Sequence, residues 1–305
     1  MHLRAGLPRI VVALIFVSGS IFAPAGSRGT GGDGPIVDGP ASESQPSATS
    51  RYLAWIHGPK DHPRRSIVYA RGDGGRFRVS RRGARAGTVG GAIDGSTLVY
   101  TERKGGPNAD IKFFNLRTKK RRNGPGPVNT PKHEWGASLS GRWLLFVREV
   151  GSVRRILLYN RRNSNLRELD RRRTTRNSLV QPGNVAGHFA TWIDCPSFRK
   201  CRVIRLNIRS GKRTRMPNPK SRSQYAPSVT PDGAVFFVES QNIATCNSPV
   251  KMFRKPPSAD RKKLLNLPDG TDTAILDAVG KKGKSIVYDL VNCNTRSGDI
   301  YRLTR

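Results

Sequence analysis

Short apolar runs, each introduced by a small or turn-forming residue and carrying an aromatic, recur along the chain as SRYLAWIH, GSTLVYTE, GRWLLFVR, GHFATWID, DGAVFFVE and GKSIVYDL. Their aromatics are Trp55, Tyr100, Phe146, Trp192, Phe237 and Tyr288, spaced by 45, 46, 46, 45 and 51 residues. Runs this short, rich in β-branched and aromatic side chains and bounded by Gly, Ser and Asp, read as strands. A period of about 40 to 50 residues is that of a four-stranded propeller blade. A second apolar strand follows each aromatic: RSIVYAR, DIKFFNLR, RILLYNRR, RVIRLNIR, VKMFRK and DIYRLTR, with Asn115, Asn160 and Asn207 at one equivalent position. Weaker strands such as NLRELD and KKLLNLP come fourth. The strand ahead of the aromatic run is clearest at Ala226 to Phe237, where Pro231-Asp232-Gly233 makes a tight turn, and Asp94-Gly95 repeats that turn in the second copy. Each repeat is thus a four-stranded antiparallel meander. One such unit cannot bury both of its faces, so neighbours stack around an axis. The expectation is an all-β, six-bladed β-propeller over residues 51–305.

The sixth copy runs out after its third strand, which leaves an unpaired edge. Pro35-Ile36-Val37 interrupts the Gly/Ser/Pro-rich stretch 26–50, otherwise read as a linker. These three residues are predicted to pair with the strand around Ile300 to Leu303 and close the ring.

The run PSVTPDG (Pro227 to Gly233), with the two hydrophobic strands after it, resembles the repeats of TolB-like six-bladed propellers, and the likeness covers about Gly34 to Arg305. The third copy has Ser138-Leu139-Ser140-Gly141 in place of that turn, and the fourth has Val185-Ala186-Gly187. The resemblance implies the propeller alone. TolB carries an extra α/β domain ahead of its propeller, for which residues 26–50 leave no room, so a place in an envelope-spanning complex is not implied.

Composition adds compartment and charge. Arg4 and Arg9, the apolar run Ile10 to Val17 and Ala23-Pro24-Ala25 have the order of an export signal, with cleavage expected after Ala25. The run is too short to span a bilayer, and nothing later in the sequence is long and apolar enough either. A secreted or extracytoplasmic monomer is expected. The chain has 55 Lys+Arg against 21 Asp+Glu and a formal charge of +34. Such an excess favours polyanions without choosing among acidic wall polymers, anionic polysaccharide, lipid headgroups and nucleic acid. An even number of cysteines in an exported chain favours disulfides. Cys195 with Cys201 and Cys246 with Cys293 is the pairing that distorts the blades least.

Several motifs read as structure. Arg71-Gly72-Asp73 falls where a tight turn joins strands. His57, Asp61 and His62 lie in a loop where no third nitrogen or further carboxylate is identified to complete a metal site. Ser197 and Lys200 share the S-x-x-K spacing, but the loop between Cys195 and Cys201 is too short for the helix that chemistry needs. No cofactor, metal or catalytic motif is expected. Basic runs recur after the third strand of copies two to five: RTKKRR, NRRN, IRSGKRTR and FRKPPSADRKK. Equivalent turns share one face of a propeller. Arg117, Lys119, Lys120, Arg121, Arg122, Arg161, Arg162, Arg209, Lys212, Arg213, Arg215, Arg254 and Lys255 are therefore expected to form a basic arc. DRRRTTR (Asp170 to Arg176) should fall on the opposite face. The reading is a non-catalytic module that binds an anionic polymer or an acidic protein through this arc. The alternatives are a cation-dependent hydrolase or lyase working at the central channel, where Asp277 is the main acidic candidate, and a structural envelope protein.

Overall fold

A computed structural model describes residues 35–38, 41–58, 66–103, 105–106, 108–175, 178–197, 199–218, 222–241, 249–273, 275–280, 282–295 and 297–304. Everything described belongs to one compact unit, Gly31–Arg305. The segment expected to be an export signal lies outside the described residues. The described elements are all strands, and they form six antiparallel sheets, the blades of a six-bladed β-propeller.

The third, fourth and fifth blades show the plan. Their strands, from the axis outward, are His133–Ser140, Trp143–Val150, Val153–Asn160 and Asn165–Arg173; then Leu179–Ala186, Phe189–Cys195, Arg202–Asn207 and Arg213–Arg215; then Ser223–Val229, Val235–Ser240, Lys251–Lys255 and Lys262–Asn266. The six repeating aromatics sit on the second strands and are buried, Trp55, Tyr100, Phe146, Trp192 and Phe237 almost completely. Each faces a residue of the third strand, as in Trp55 with Tyr69, Phe146 with Leu157 and Tyr288 with Tyr301. Burying one such side chain contributes about 1.5–3 kcal/mol. Their packing into neighbouring blades therefore dominates cohesion around the ring.

The first blade differs from expectation. Its inner strand is Ser42–Ala48, followed by Leu53–Gly58, Ile67–Gly72 and Gly75–Arg78, so the propeller begins inside the stretch read as linker. SESQPSA carries no apolar alternation to betray a strand. Its buried positions include Glu43 and Ser47, held by hydrogen bonds instead of hydrophobicity. In the second blade the inner strand is split into Arg85–Gly87 and Ile93–Asp94, ahead of Thr97–Arg103, Asp110–Asn115 and Arg121–Asn123. The sixth is split likewise, with Thr271–Asp272 and Leu276–Val279 both pairing with Ser285–Asn292, which then pairs with Gly298–Thr304.

Val37 forms an antiparallel bridge with Ile300. The Ile36 and Val37 N–H groups donate to the Ile300 carbonyl at 2.7 and 3.3 Å, and Ile300 N–H returns a bond to the Val37 carbonyl at 3.0 Å. Val37 and Ile300 pack with Ala48, Leu53, Trp55 and Val287, so residues from both ends of the propeller share one apolar cluster.

A ring of polar links runs around the axis. Ala92 N–H and Ile93 N–H donate to Ser47 Oγ at 2.9 and 3.2 Å. Ser138 Oγ donates to the Gly91 carbonyl at 2.9 Å and accepts from Val185 N–H at 3.0 Å. Asn184 exchanges two bonds with the Val229 backbone. Ala278 N–H donates to Ser228 Oγ at 3.0 Å, and Asp277 Oδ2 accepts from Ala48 N–H at 2.7 Å and from Ser47 Oγ at 3.1 Å. Every blade is thus joined to the next through a polar side chain. Such a side chain at the axis satisfies backbone groups that burial would otherwise leave unpaired.

Candidate functional site

The topology sets the faces. In each full blade the turn from inner to second strand and the turn from third to outer strand lie at the same end, and in the second, third and fourth blades a backbone bond ties them together. Leu116 N–H donates to the Ser96 carbonyl, Arg161 N–H to that of Arg142 and Ile208 N–H to that of His188, all at 2.7–2.8 Å. The equivalent asparagines explain the shape of the basic turns. Asn115 Oδ1 accepts from the N–H groups of Arg117 and Thr118, Asn160 Oδ1 from Arg162, and Asn207 Oδ1 from Arg209 and Ser210. Four residues past each asparagine the backbone turns left-handed, at Lys119, Ser164 and Gly211. The side-chain amide nucleates the turn and the left-handed residue reverses it. Leu116 and Ile208 turn inward and are buried, while Arg117, Arg162 and Arg209 are exposed on the turn.

Nine of the predicted cations are exposed: Arg117, Lys119, Lys120, Arg122, Arg162, Arg209, Lys212, Arg213 and Arg215. Arg121, Arg161, Arg254 and Lys255 are half-buried. Four of the thirteen bond the protein's own backbone through their side chains, Arg161 among them with a 3.1 Å bond to the Gly141 carbonyl. Arg121 donates to the Val79 carbonyl and, at 2.7 Å, to Tyr100 Oη, while Arg213 donates to the Leu169 carbonyl, so each reaches from its own outer strand to the blade before it. Lys255 Nζ is held by the carbonyls of Pro256 and Ala259. Arg254, on the third strand itself, lies with its guanidinium 5.9 Å from the Phe236 ring centroid. The exposed members of the predicted arc therefore lie on the second to fourth blades, and the two predicted on the fifth are half-buried.

The arc is electrostatically uncompensated. Among the described residues none of the thirteen cations takes part in an ion pair, whereas Arg171 pairs with Glu168 and Arg172 with Asp194. The last two lie on the outer strand of the third blade, where it runs to the opposite face and Thr174 N–H meets the Ser152 carbonyl. Crowding shows within the arc itself. Burial, and after it the charge of Arg122, makes Arg161 easier to deprotonate than an ordinary arginine.

The opposite face opens into a funnel of about 400 Å³ lined by Gln45, Arg85, Arg103, His133, Trp135 and Gln181, among others. It does not continue along the axis as a free channel. A Cβ on Gly90 would lie 2.2 Å from the Leu276 carbonyl oxygen, and one on Gly91 would lie 2.8 Å from Asn184, so the backbone of the second blade fills the centre. Asp277 is buried in that plug, and desolvation raises its pKa to about 7 against hydrogen bonds that favour its charge. Among the described residues no three His, Cys, Asp or Glu side chains converge as a metal site. Cys195 and Cys201 form a disulfide across the hairpin between the second and third strands of the fourth blade. Cys293 is also disulfide-bonded, while Cys246, read as its partner, lies outside the described residues. Asp61 and His62 lie outside them too. No described helix is long and apolar enough to cross a membrane.

The architecture matches solved propellers over most of its length. A structure described as a putative TolB from Agrobacterium tumefaciens superposes with a TM-score of 0.59 at 12% identity, covering 88% of this chain and 91% of that one. The fold is that of a TolB-like propeller. The β-propeller domain of the Trilobed protease from Pyrococcus furiosus, described as having an open velcro topology, matches at TM-score 0.54 and 11% identity over 88% of this chain and 93% of its own. The acylaminoacyl peptidase of Pyrococcus horikoshii matches at TM-score 0.52 and 11% identity over 82% of this chain but 43% of that one. No family model matches the sequence, and no curated protein matches it. TolB-like propellers thus stand beside propellers of peptidases, and at these identities the likeness carries architecture only.

Sequence reasoning finds the basic turns and their asparagines. It misses Phe113, Tyr159 and Trp143, which line the seams between the arc's blades together with Arg122, Arg161 and Arg167. Their apolar character is absorbed by the strand pattern, and only the meeting of blades shows that they flank cations.

Proposed function

We propose that this protein is an extracytoplasmic interaction module whose basic arc binds an anionic polymer or an acidic protein. The observation that carries the reading is the asymmetry of compensation. The arc's cations lack acidic partners among the described residues, while Arg171 and Arg172 towards the other face have theirs. A surface that holds like charges together without neutralising them is repaid when a polyanion displaces condensed counterions. The buried disulfide and the TolB-like architecture support a place outside the cytoplasm. The test is binding of a fluorescent polyanion across a salt series. Reversing Lys119 and Lys120 to Glu is expected to weaken binding about tenfold, and reversing Arg171 and Arg173 less than about threefold. Equal losses would reduce the effect to net charge and remove the arc from the reading.

A further inference from the structure

Two pockets flank the turn 161–164 of the third blade. One, of about 280 Å³, lies in the seam with the second blade and is lined by Phe113, Arg122, Asn123, Pro125, Tyr159 and Arg161. The Arg122 and Arg161 guanidinium carbons stand 5.5 and 5.4 Å from the centroid of the same Phe113 ring. Neither guanidinium has a carboxylate in ion-pair range among the described residues. Arg161 Nη1 donates to the Gly141 carbonyl at 3.1 Å, and Asp94, the acid felt by Arg161, spends a carboxylate oxygen on Gly141 N–H at 2.8 Å. Two guanidinium forks on one ring, repelling each other, make a cradle for an anion, and forks suit the planar oxygens of an acid group.

The second pocket, of about 240 Å³, lies in the seam with the fourth blade. It is lined by Trp143, Asn160, Asn163, Asn165 and Arg167, with apolar side chains behind. Three carboxamides and one arginine are an unusual lining for a purely electrostatic surface. Carboxamides both donate and accept, as sugar hydroxyls do, whereas phosphate oxygens only accept. Nucleic acid would want open aromatic faces for its bases. Phe113 is buried beneath its two arginines, and the Arg142 guanidinium stands 5.0 Å from the Trp143 centroid.

We propose that the arc recognises an acidic polysaccharide, with the acid group of one sugar between Arg122 and Arg161 and a neighbouring sugar in the Asn160–Asn163–Asn165 pocket. This rests on the polyanion reading above and makes it specific. The acid group is a uronate carboxylate or a sulfate ester, each of which offers a pair of terminal oxygens that a guanidinium fork can bridge.

The experiment titrates the full mature chain, near physiological salt, with polygalacturonate, dextran sulfate, polyphosphate, poly(dT) and neutral dextran. Melting curves certify the fold of each variant. At least one of the two acidic polysaccharides is expected to bind more tightly than polyphosphate or poly(dT), and which of them binds identifies the acid group. The double variant R122Q/R161Q should lose about tenfold in affinity for it, and K119Q/K120Q, equal in charge removed, less than about threefold. R122K/R161K restores charge without the fork and should recover only part of the loss; it serves as the readout if the glutamine pair does not fold. N163A/N165A removes no charge and should weaken the polysaccharide while leaving polyphosphate unchanged. Equal losses from the two charge-removing pairs, an indifferent N163A/N165A, or tighter binding of poly(dT) or polyphosphate would overturn the proposal while leaving the arc as a general polyanion surface. A wild-type chain that binds none of the charged polymers would overturn both.

Discussion

At the scale of single residues the axis is the most sensitive place in the molecule. Asp277 joins the sixth blade to the first through Ser47 Oγ and Ala48 N–H, and it is fully buried there with a pKa of about 7 instead of near 3.8. Between these two values the folded protein holds a proton that the unfolded chain releases. Its contribution to stability is therefore fully present below about pH 4 and is lost as pH rises towards 7, by an amount on the order of a few kcal/mol. Thermal melting of wild type and Asp277→Asn across pH 4 to 8 checks the sign: the difference between their melting temperatures should move steadily against the wild type as pH rises. A constant difference would mean that Asp277 keeps one protonation state throughout. The repeating aromatics are legible in the sequence because a large apolar ring at a constant interval has to be buried at a constant place. Ser47, Ser138, Asn184 and Ser228 are not, because a small polar residue between strands looks the same whether it faces solvent or satisfies a neighbour's backbone.

Among elements, the strands that sequence reads best are those with apolar side chains on both faces, the second strands of each blade. Inner strands read poorly for a physical reason. They crowd around the axis where only small residues fit, and they carry prolines at their irregularities, Pro46, Pro182 and Pro227, which a sequence reading takes as breaks. The closing segment reads well because the missing outer strand of the sixth blade demands a partner. Ile36→Pro deletes the donor of the 2.7 Å bond to Ile300, and deleting residues 26–38 removes the bridge altogether. Each should lower the melting temperature, the deletion by several degrees, with the proline variant between it and wild type. An unchanged value for the deletion would show that the ring closes without its latch. The Cys195–Cys201 bridge closes a loop of sequence separation 6, so its loss in C195S/C201S should cost about 2 kcal/mol by chain entropy, seen as a lowered melting midpoint without reductant.

For the whole molecule the balance of charge matters more than its sum. The excess of 55 basic over 21 acidic residues is plain in the sequence, and so is the face that carries the recurrent basic turns, because blade equivalence is a counting argument. The seam pockets are not legible there. Arg122 and Arg161 come from different blades and meet on a ring between them, a proximity that no spacing encodes. Binding measured from 50 to 300 mM salt should fall linearly on logarithmic axes. A shallower slope for the K119E/K120E chain would count how many fewer counterions its complex releases, and an unchanged slope would place those lysines away from the bound polymer. The bridge between Val37 and Ile300 also orders events in time. A ribosome emits Val37 long before Ile300, so the segment that completes the last blade must wait, unpaired, until Ile300 has been made. Five blades can form on the way, yet the circle stays open until the final strand arrives, and the junction made from both ends of the propeller is the step that turns a curved stack of sheets into a finished protein.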